Sequence, residues 1–85
     1  MPVILRYKGY RFFFFSNEGN PLEPAHVHIR NGPRIAKYWL EPDISLAESY
    51  DMSPAQLKEI ETVVRENQSL IKEAWDDHLG SHGGK

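Results

Sequence analysis

Hydrophobic positions in the first 40 residues fall into short runs separated by turn-forming residues, a pattern typical of β-strands. The pattern predicts one strand at Val3–Tyr7, a tight turn at Lys8-Gly9, and a second strand at Tyr10–Ser16. Four consecutive phenylalanines, residues 12–15, interrupt the alternation of hydrophobic and polar positions. The second strand is therefore expected to be central in its sheet and covered on both faces.

A second hairpin is predicted after the loop at residues 17–24, which contains one glycine and two prolines. Its strands are Ala25–Arg30 and Arg34–Leu40, and Asn31-Gly32 is the expected turn. The stretch Asp43–Met52 fits either a short edge strand or an irregular connection. The sequence thus predicts a small antiparallel sheet of three to four strands.

From residue 54 onward, hydrophobic residues recur at helical spacing. Ser53 suits the N-cap, Pro54 the first helical position, and Gln56 completes a capping box. We predict one long C-terminal helix, Pro54–Leu79, packed across one face of the sheet, with Trp75 in the core. The expected fold class is α+β.

The length of 85 residues indicates one domain, which we place at residues 1–79 and follow with a flexible C-terminal tail at 80–85. The absence of cysteine excludes disulfides and thiolate metal sites. No charged-then-apolar leader and no long apolar run are present, so we expect a cytoplasmic protein without a membrane partner.

Charge divides the chain into two halves. Residues 1–40 carry six basic and two acidic side chains, a net charge of +4, and residues 41–85 carry four basic and ten acidic ones, a net charge of −6. This asymmetry fits an anion-binding sheet, or a basic sheet and an acidic helix that merely keep each other solvated. Four acidic residues form a strip on the predicted helix: Glu59, Glu66, Glu73 and Asp77. The strip could dock a basic protein partner, or it could only keep the protein soluble.

The segment with the most chemistry contains His26, His28 and Arg30, which alternate along one strand and so project from one face. Two imidazoles beside a guanidinium form a donor-rich surface suited to anions. They also supply two of the ligands that zinc requires, for which Glu18 or His78 would be the third. A purely structural role in hydrogen bonding near the loop is the third alternative, and the residues leave all three open.

The same histidines permit catalysis, because their ordinary pKa values lie near neutral pH. With Lys37 on the neighbouring strand to stabilise negative charge, His26 and His28 could cleave RNA phosphodiesters with or without a metal. The basic, aromatic N-terminal half could instead bind single-stranded nucleic acid by charge and stacking. Whether the protein is an enzyme stays open at this point.

Several segments resemble a small bacterial family catalogued as domain of unknown function 4160. The resemblance covers nearly the whole chain and is carried by Tyr10–Glu18, Pro24–His28, Ala36–Pro42, the helix positions Leu57, Ile60, Val63 and Val64, and Trp75–His78. This chain has Ala25 where the family usually has a second proline, and a longer loop before the histidines. Matching the family motif position by position singles out Glu18, His26, His28, Lys37 and Trp39.

The resemblance implies no established activity, although family members often look like one half of a two-gene, toxin–antitoxin-like pair. We therefore expect a partner-binding module whose face of His26, His28, Arg30 and Lys37 recognises an anion such as nucleic acid. The alternatives are a phosphodiesterase that uses these residues and an interaction protein without site chemistry.

Overall fold

The computed structural model describes residues 3–15 and 23–82, the last four by their backbone alone. These residues form an α+β fold with a five-stranded antiparallel sheet and two helices. The elements are β1 Val3–Tyr7, β2 Tyr10–Phe13, β3 His26–Asn31, β4 Arg34–Trp39, β5 Ser45–Tyr50, α1 Pro54–Glu66 and α2 Gln68–His82.

The strands follow one another across the sheet in chain order, so each strand pairs with the next along the sequence. The predicted turn between β1 and β2 is confirmed, with positive φ at both Lys8 (47°) and Gly9 (85°). The turn between β3 and β4 differs from the prediction by one residue: Asn31 pairs with Arg34, and the turn residues are Gly32 and Pro33. Gly32 has φ 60°, and proline cannot adopt positive φ, a combination that suits a type II′ turn.

The ambiguous segment after Pro42 contains the edge strand β5, so the sheet has one or two strands more than predicted. Both edge strands are irregular. The register of β1 shifts between Val3 and Leu5, and that of β4 with β5 shifts where Tyr38 pairs with Leu46. Bulges of this kind make an edge a poor template for further strand pairing.

The single long helix of the prediction is wrong: two helices meet at Asn67. The Asn67 side chain donates from Nδ2 to the Val63 carbonyl at 2.9 Å, and its backbone N–H is shared between the carbonyls of Val63 and Val64. Such a side chain competes with the helical hydrogen-bond pattern. The second helix extends to His82, so the predicted tail at 80–85 begins within it, and residues 83–85 lie outside the described part.

One face of the sheet packs against the helices and forms the core. Its fully buried members come from the sheet, the segment after β2 and the helices: Phe12, Phe14, Val27, Ile29, Ala36, Tyr38, Ile60, Val64 and Ile71. The Tyr38 hydroxyl donates to the Leu57 carbonyl of α1 at 2.8 Å, and burial raises the pKa of Tyr38 to about 12. On the same side, Glu59 of α1 accepts hydrogen bonds from Tyr7 and Lys8.

On the other face of the sheet, called the open face below, Arg6, Arg11 and Arg30 are exposed, whereas His26 at one end is covered by the Trp75 ring of α2. The open face holds the side chains that alternate with the core residues along each strand, among them the hydrophobic residues Val3, Phe13, Ile35 and Tyr50. Neither described helix is long and apolar enough to cross a membrane.

Candidate functional site

The open face is organised in rows, because directly paired residues of an antiparallel sheet project to the same side. One row runs across β1, β2 and β3 through Arg6, Arg11 and Arg30. The next row, two residues along the strands, contains Val3, Phe13, His28 and Lys37, and a third contains His26 and Trp39. The candidate site is this set of rows.

The structure confirms which side chains of β3 share a face. Val27 and Ile29 are fully buried in the core beneath the helices. His26, His28 and Arg30 alternate with them and belong to the open face, as the period of two predicts. The environment of these three residues nevertheless changes along the strand, from buried at His26 to exposed at Arg30.

The two histidines lie inside an aromatic cluster, the histidine cluster, formed by His26, His28, Phe13, Phe15, Trp39 and Trp75. The His26 ring centre is 5.2 Å from that of His28, 5.6 Å from Trp39 and 4.9 Å from Trp75 of α2. The His28 ring lies 5.8 Å from Phe13 and 4.3 Å from Phe15. This packing leaves His26 only 2% exposed and shields Nε2 of His28 from solvent.

Polar contacts fix one side of this cluster. Nδ1 of His26 lies 2.8 Å from the Pro24 carbonyl, to which a protonated Nδ1 donates. The Glu23 carboxylate accepts from Lys37 Nζ at 3.2 Å and lies 3.9 Å from His26 Nδ1. Lys37 Nζ also sits 4.5 Å from the centre of the Trp39 ring, a cation–π distance. The lysine is thus held by an acid and an indole, and its side chain is 15% exposed.

The metal hypothesis needs a third ligand. Among the described residues, no group of three His, Cys, Asp or Glu side chains converges on a common point. Nε2 of the candidate ligand His78 lies 3.0 Å from the Phe15 carbonyl. The other candidate, Glu18, lies outside the described residues, so zinc binding by His26 and His28 stays a prediction.

The arginine row consists of Arg6, Arg11 and Arg30. It differs from the histidine cluster in its exposure to solvent and in its lack of a described acidic partner. All three side chains are exposed, and they stand directly beside one another on three adjacent strands. No carboxylate of residues 3–15 or 23–78 lies within ion-pair distance of these guanidinium groups. The row therefore presents three adjacent cations to solvent.

Sequence reasoning selected Arg30 but missed Arg6 and Arg11. A usable signal was present, because a two-residue turn at Lys8-Gly9 pairs residues that are equidistant from it. Arg6 and Arg11 are such a pair, and the structure has them opposite each other. Phe13 and Phe15 were also not selected, because their approach to His28 depends on how the second hairpin lies against the first. Glu23 was not selected because it lies in the loop before β3, where the sequence does not fix the direction of a side chain.

Comparison with known proteins adds one finding. The family model described as "Domain of unknown function (DUF4160)" matches residues 9–76, which include β2, the histidine cluster, α1 and most of α2. Neither the curated proteins nor the solved structures yield a match. Because the family model covers well over half of the chain, the protein belongs to the DUF4160 family, whose function is unknown.

Proposed function

We propose that this protein is an interaction module that binds nucleic acid through the open face of its sheet. The observation that carries the proposal is the arginine row: three exposed guanidinium groups on adjacent strands without a described carboxylate to neutralise them. Guanidinium groups bind phosphate through paired hydrogen bonds, which makes arginine the usual residue for phosphate recognition.

The spacing of the row suits a polymer of phosphates better than a single anion. Neighbouring strands lie roughly 4.8 Å apart, so Arg6 and Arg30 are separated by roughly 10 Å at the backbone. Successive phosphates of one strand advance by roughly 3.4 Å along a duplex axis, so the row spans more than one of them. A free phosphate, by contrast, would meet only part of the row.

The distribution of charge supports the same ligand. Ten of the twelve acidic residues lie in the C-terminal half of the chain, and six of the twelve lie on the two helices. Among the described residues of the open-face rows, the acidic side chain is that of Glu48, which lies on the edge strand β5 opposite Lys37. A polyanion that approaches the arginine row therefore meets a basic surface, whose field speeds association.

A protein partner, as in a toxin–antitoxin-like pair, is the second component of the proposal. The exposed acids of the helices, among them Glu66 and Glu73, belong to α1 and α2, whereas the arginine row belongs to β1, β2 and β3, so a basic partner and a nucleic acid would use different residues. Glu59 contributes less than the sequence suggested, because Lys8 and Tyr7 already occupy its carboxylate.

The test is the salt dependence of binding, measured by fluorescence anisotropy with labelled 12-nucleotide RNA and DNA. Three phosphate contacts predict a slope of about −2 for log K against log salt on a single strand, or about 20-fold weaker binding at 200 mM than at 50 mM. The double variant R11Q/R30Q should reduce the slope to about −0.7 and weaken binding to RNA and DNA alike.

The matched control is K58Q, which removes one positive charge from the exposed surface of α1 and should leave the affinity within about twofold of wild type. Absence of binding at 20 mM salt, or equal binding by wild type and R11Q/R30Q, would contradict the proposal. The same RNA is examined for cleavage, because products that depend on His26 would favour the phosphodiesterase alternative.

A further inference from the structure

A depression of about 250 Å³ lies on the open face next to the arginine row, lined by Val3, Arg11, Phe13 and Arg30. These four residues occupy neighbouring positions of two rows: Arg11 is opposite Arg30, and Val3 is opposite Phe13. Two walls of the depression are therefore cationic, and two are hydrophobic. It is separate from the histidine cluster except for Phe13, whose ring stacks on His28.

The chemistry of these walls restricts what can fill the depression. A bare phosphate would pair with Arg11 and Arg30 but would leave uncovered Val3, which is 38% exposed, and the part of the largely buried Phe13 ring (9% exposed) that lines the depression. An apolar side chain would cover Val3 and Phe13 but would take two guanidinium groups out of water without a counter-charge, which is costly. A ligand that joins an anion to a flat apolar ring satisfies both pairs.

We propose that the depression is a nucleotide subsite for single strands, with the base against Val3 and Phe13 and its phosphate between Arg11 and Arg30. This inference rests on the proposed function and narrows its ligand to single-stranded nucleic acid. The bases of a duplex are stacked inside the helix and cannot reach an aromatic wall, whereas those of a single strand can. Arginine planes also stack on bases, which adds to the contribution of Phe13.

The experiment compares three labelled ligands of equal length at 50 mM salt: a 12-nucleotide oligothymidylate, an abasic 12-mer with the same phosphates, and a 12-base-pair duplex. Stacking of one base contributes about 1–3 kcal/mol, so the oligothymidylate should bind at least fivefold more tightly than the abasic strand. It should also bind more tightly than the duplex.

The variant F13L keeps a hydrophobic side chain and removes the aromatic ring. It should lose most of the preference for oligothymidylate while binding the abasic strand as wild type does. If circular dichroism shows that F13L is misfolded, V3S replaces it, because Val3 is exposed on an edge strand. The control L46A shortens an exposed hydrophobic side chain on the helix-bearing face and should keep the wild-type preference.

Two outcomes separate this inference from the proposed function. Equal affinity for oligothymidylate and the abasic strand, or for single strand and duplex, overturns the subsite and leaves phosphate binding by the arginine row standing. Failure of all three ligands to bind overturns both. A preference for bases that survives in F13L, or in V3S where it replaces a misfolded F13L, places the stacking elsewhere and also overturns the subsite.

Discussion

Replacing Arg11 by glutamine should make the protein more stable, although it removes part of the proposed binding surface. Arg11 is the middle member of the arginine row, with Arg6 directly opposite on one side and Arg30 on the other. Like charges directly opposite each other on a sheet are destabilising, and cross-strand pairs contribute roughly 0.2–1 kcal/mol each. One substitution relieves both repulsive pairs.

The expected gain is about 0.5 kcal/mol in the free energy of unfolding at low salt. It is smaller than two full pair energies, because the three side chains are exposed and can splay apart in water. For a domain of this size, such a gain corresponds to an increase in melting temperature of about 2–4 °C. Glutamine keeps part of the hydrocarbon stem of arginine, so little packing is lost.

The assay is thermal and urea unfolding of wild type and R11Q at 20 mM and 1 M salt. At 1 M salt the Debye length falls to about 3 Å, so the difference between the two proteins should nearly vanish. R6Q and R30Q, each of which relieves only one repulsive pair, should gain about half as much. If R11Q is less stable than wild type at low salt, or if its gain in unfolding free energy is unchanged at 1 M salt, charge repulsion within the arginine row does not destabilise the protein.

Two further predictions concern the aromatic cluster and the β1–α1 contact. H26A should lower the free energy of unfolding by about 2–4 kcal/mol in urea titrations, because it leaves a cavity where a buried ring was. The control R30A, at an exposed position, should change it by less than about 0.5 kcal/mol. A loss below about 1 kcal/mol in H26A would contradict a structural role for the ring. The hydrogen bond from Tyr7, together with that from Lys8, lowers the pKa of the Glu59 carboxyl. The ionised carboxylate therefore stabilises the folded protein above the unfolded-state pKa of about 4.5, and this contribution is lost as pH falls through the lower pKa of the folded state. E59Q should therefore melt below wild type at pH 7, and the gap should narrow as pH falls below about 4.5; a gap that stays constant as the pH is lowered would rule out this ionisation as the cause.

Features with a local cause were predictable from the sequence. The start of α1 is one: Ser53 Oγ accepts from the Gln56 N–H at 3.1 Å, and the Gln56 side chain accepts from the Ser53 N–H at 2.8 Å, which forms the expected capping box. The alternation along β3 is another, because side-chain direction in a strand follows from the backbone alone. Both signals are contained within a few residues.

Features that depend on competition between elements were not predictable. The break at Asn67 is invisible in the hydrophobic stripe, since Val63, Val64 and Ile71 all face the core despite it. The strand β5 has no buried side chain and carries Tyr50 at 67% exposure, so its pairing with β4 leaves no strong pattern in the sequence. Likewise, the ion pair of Glu23 with Lys37 joins a loop to a strand 14 residues away.

The open face contains an enclosed histidine cluster and an exposed arginine row, and this difference bears on whether the protein is an enzyme. A histidine that acts as general acid or base must come within about 2.6–3.2 Å of the proton it transfers. His26 is enclosed, with Nδ1 against the Pro24 carbonyl, and Lys37 is held between Glu23 and Trp39. Catalysis by these residues would therefore require the rings around His26 and His28 to separate and the lysine to leave its carboxylate. Binding at Arg6, Arg11 and Arg30 requires neither change, because these side chains already face solvent, and for that reason the geometry favours a binding module over a phosphodiesterase.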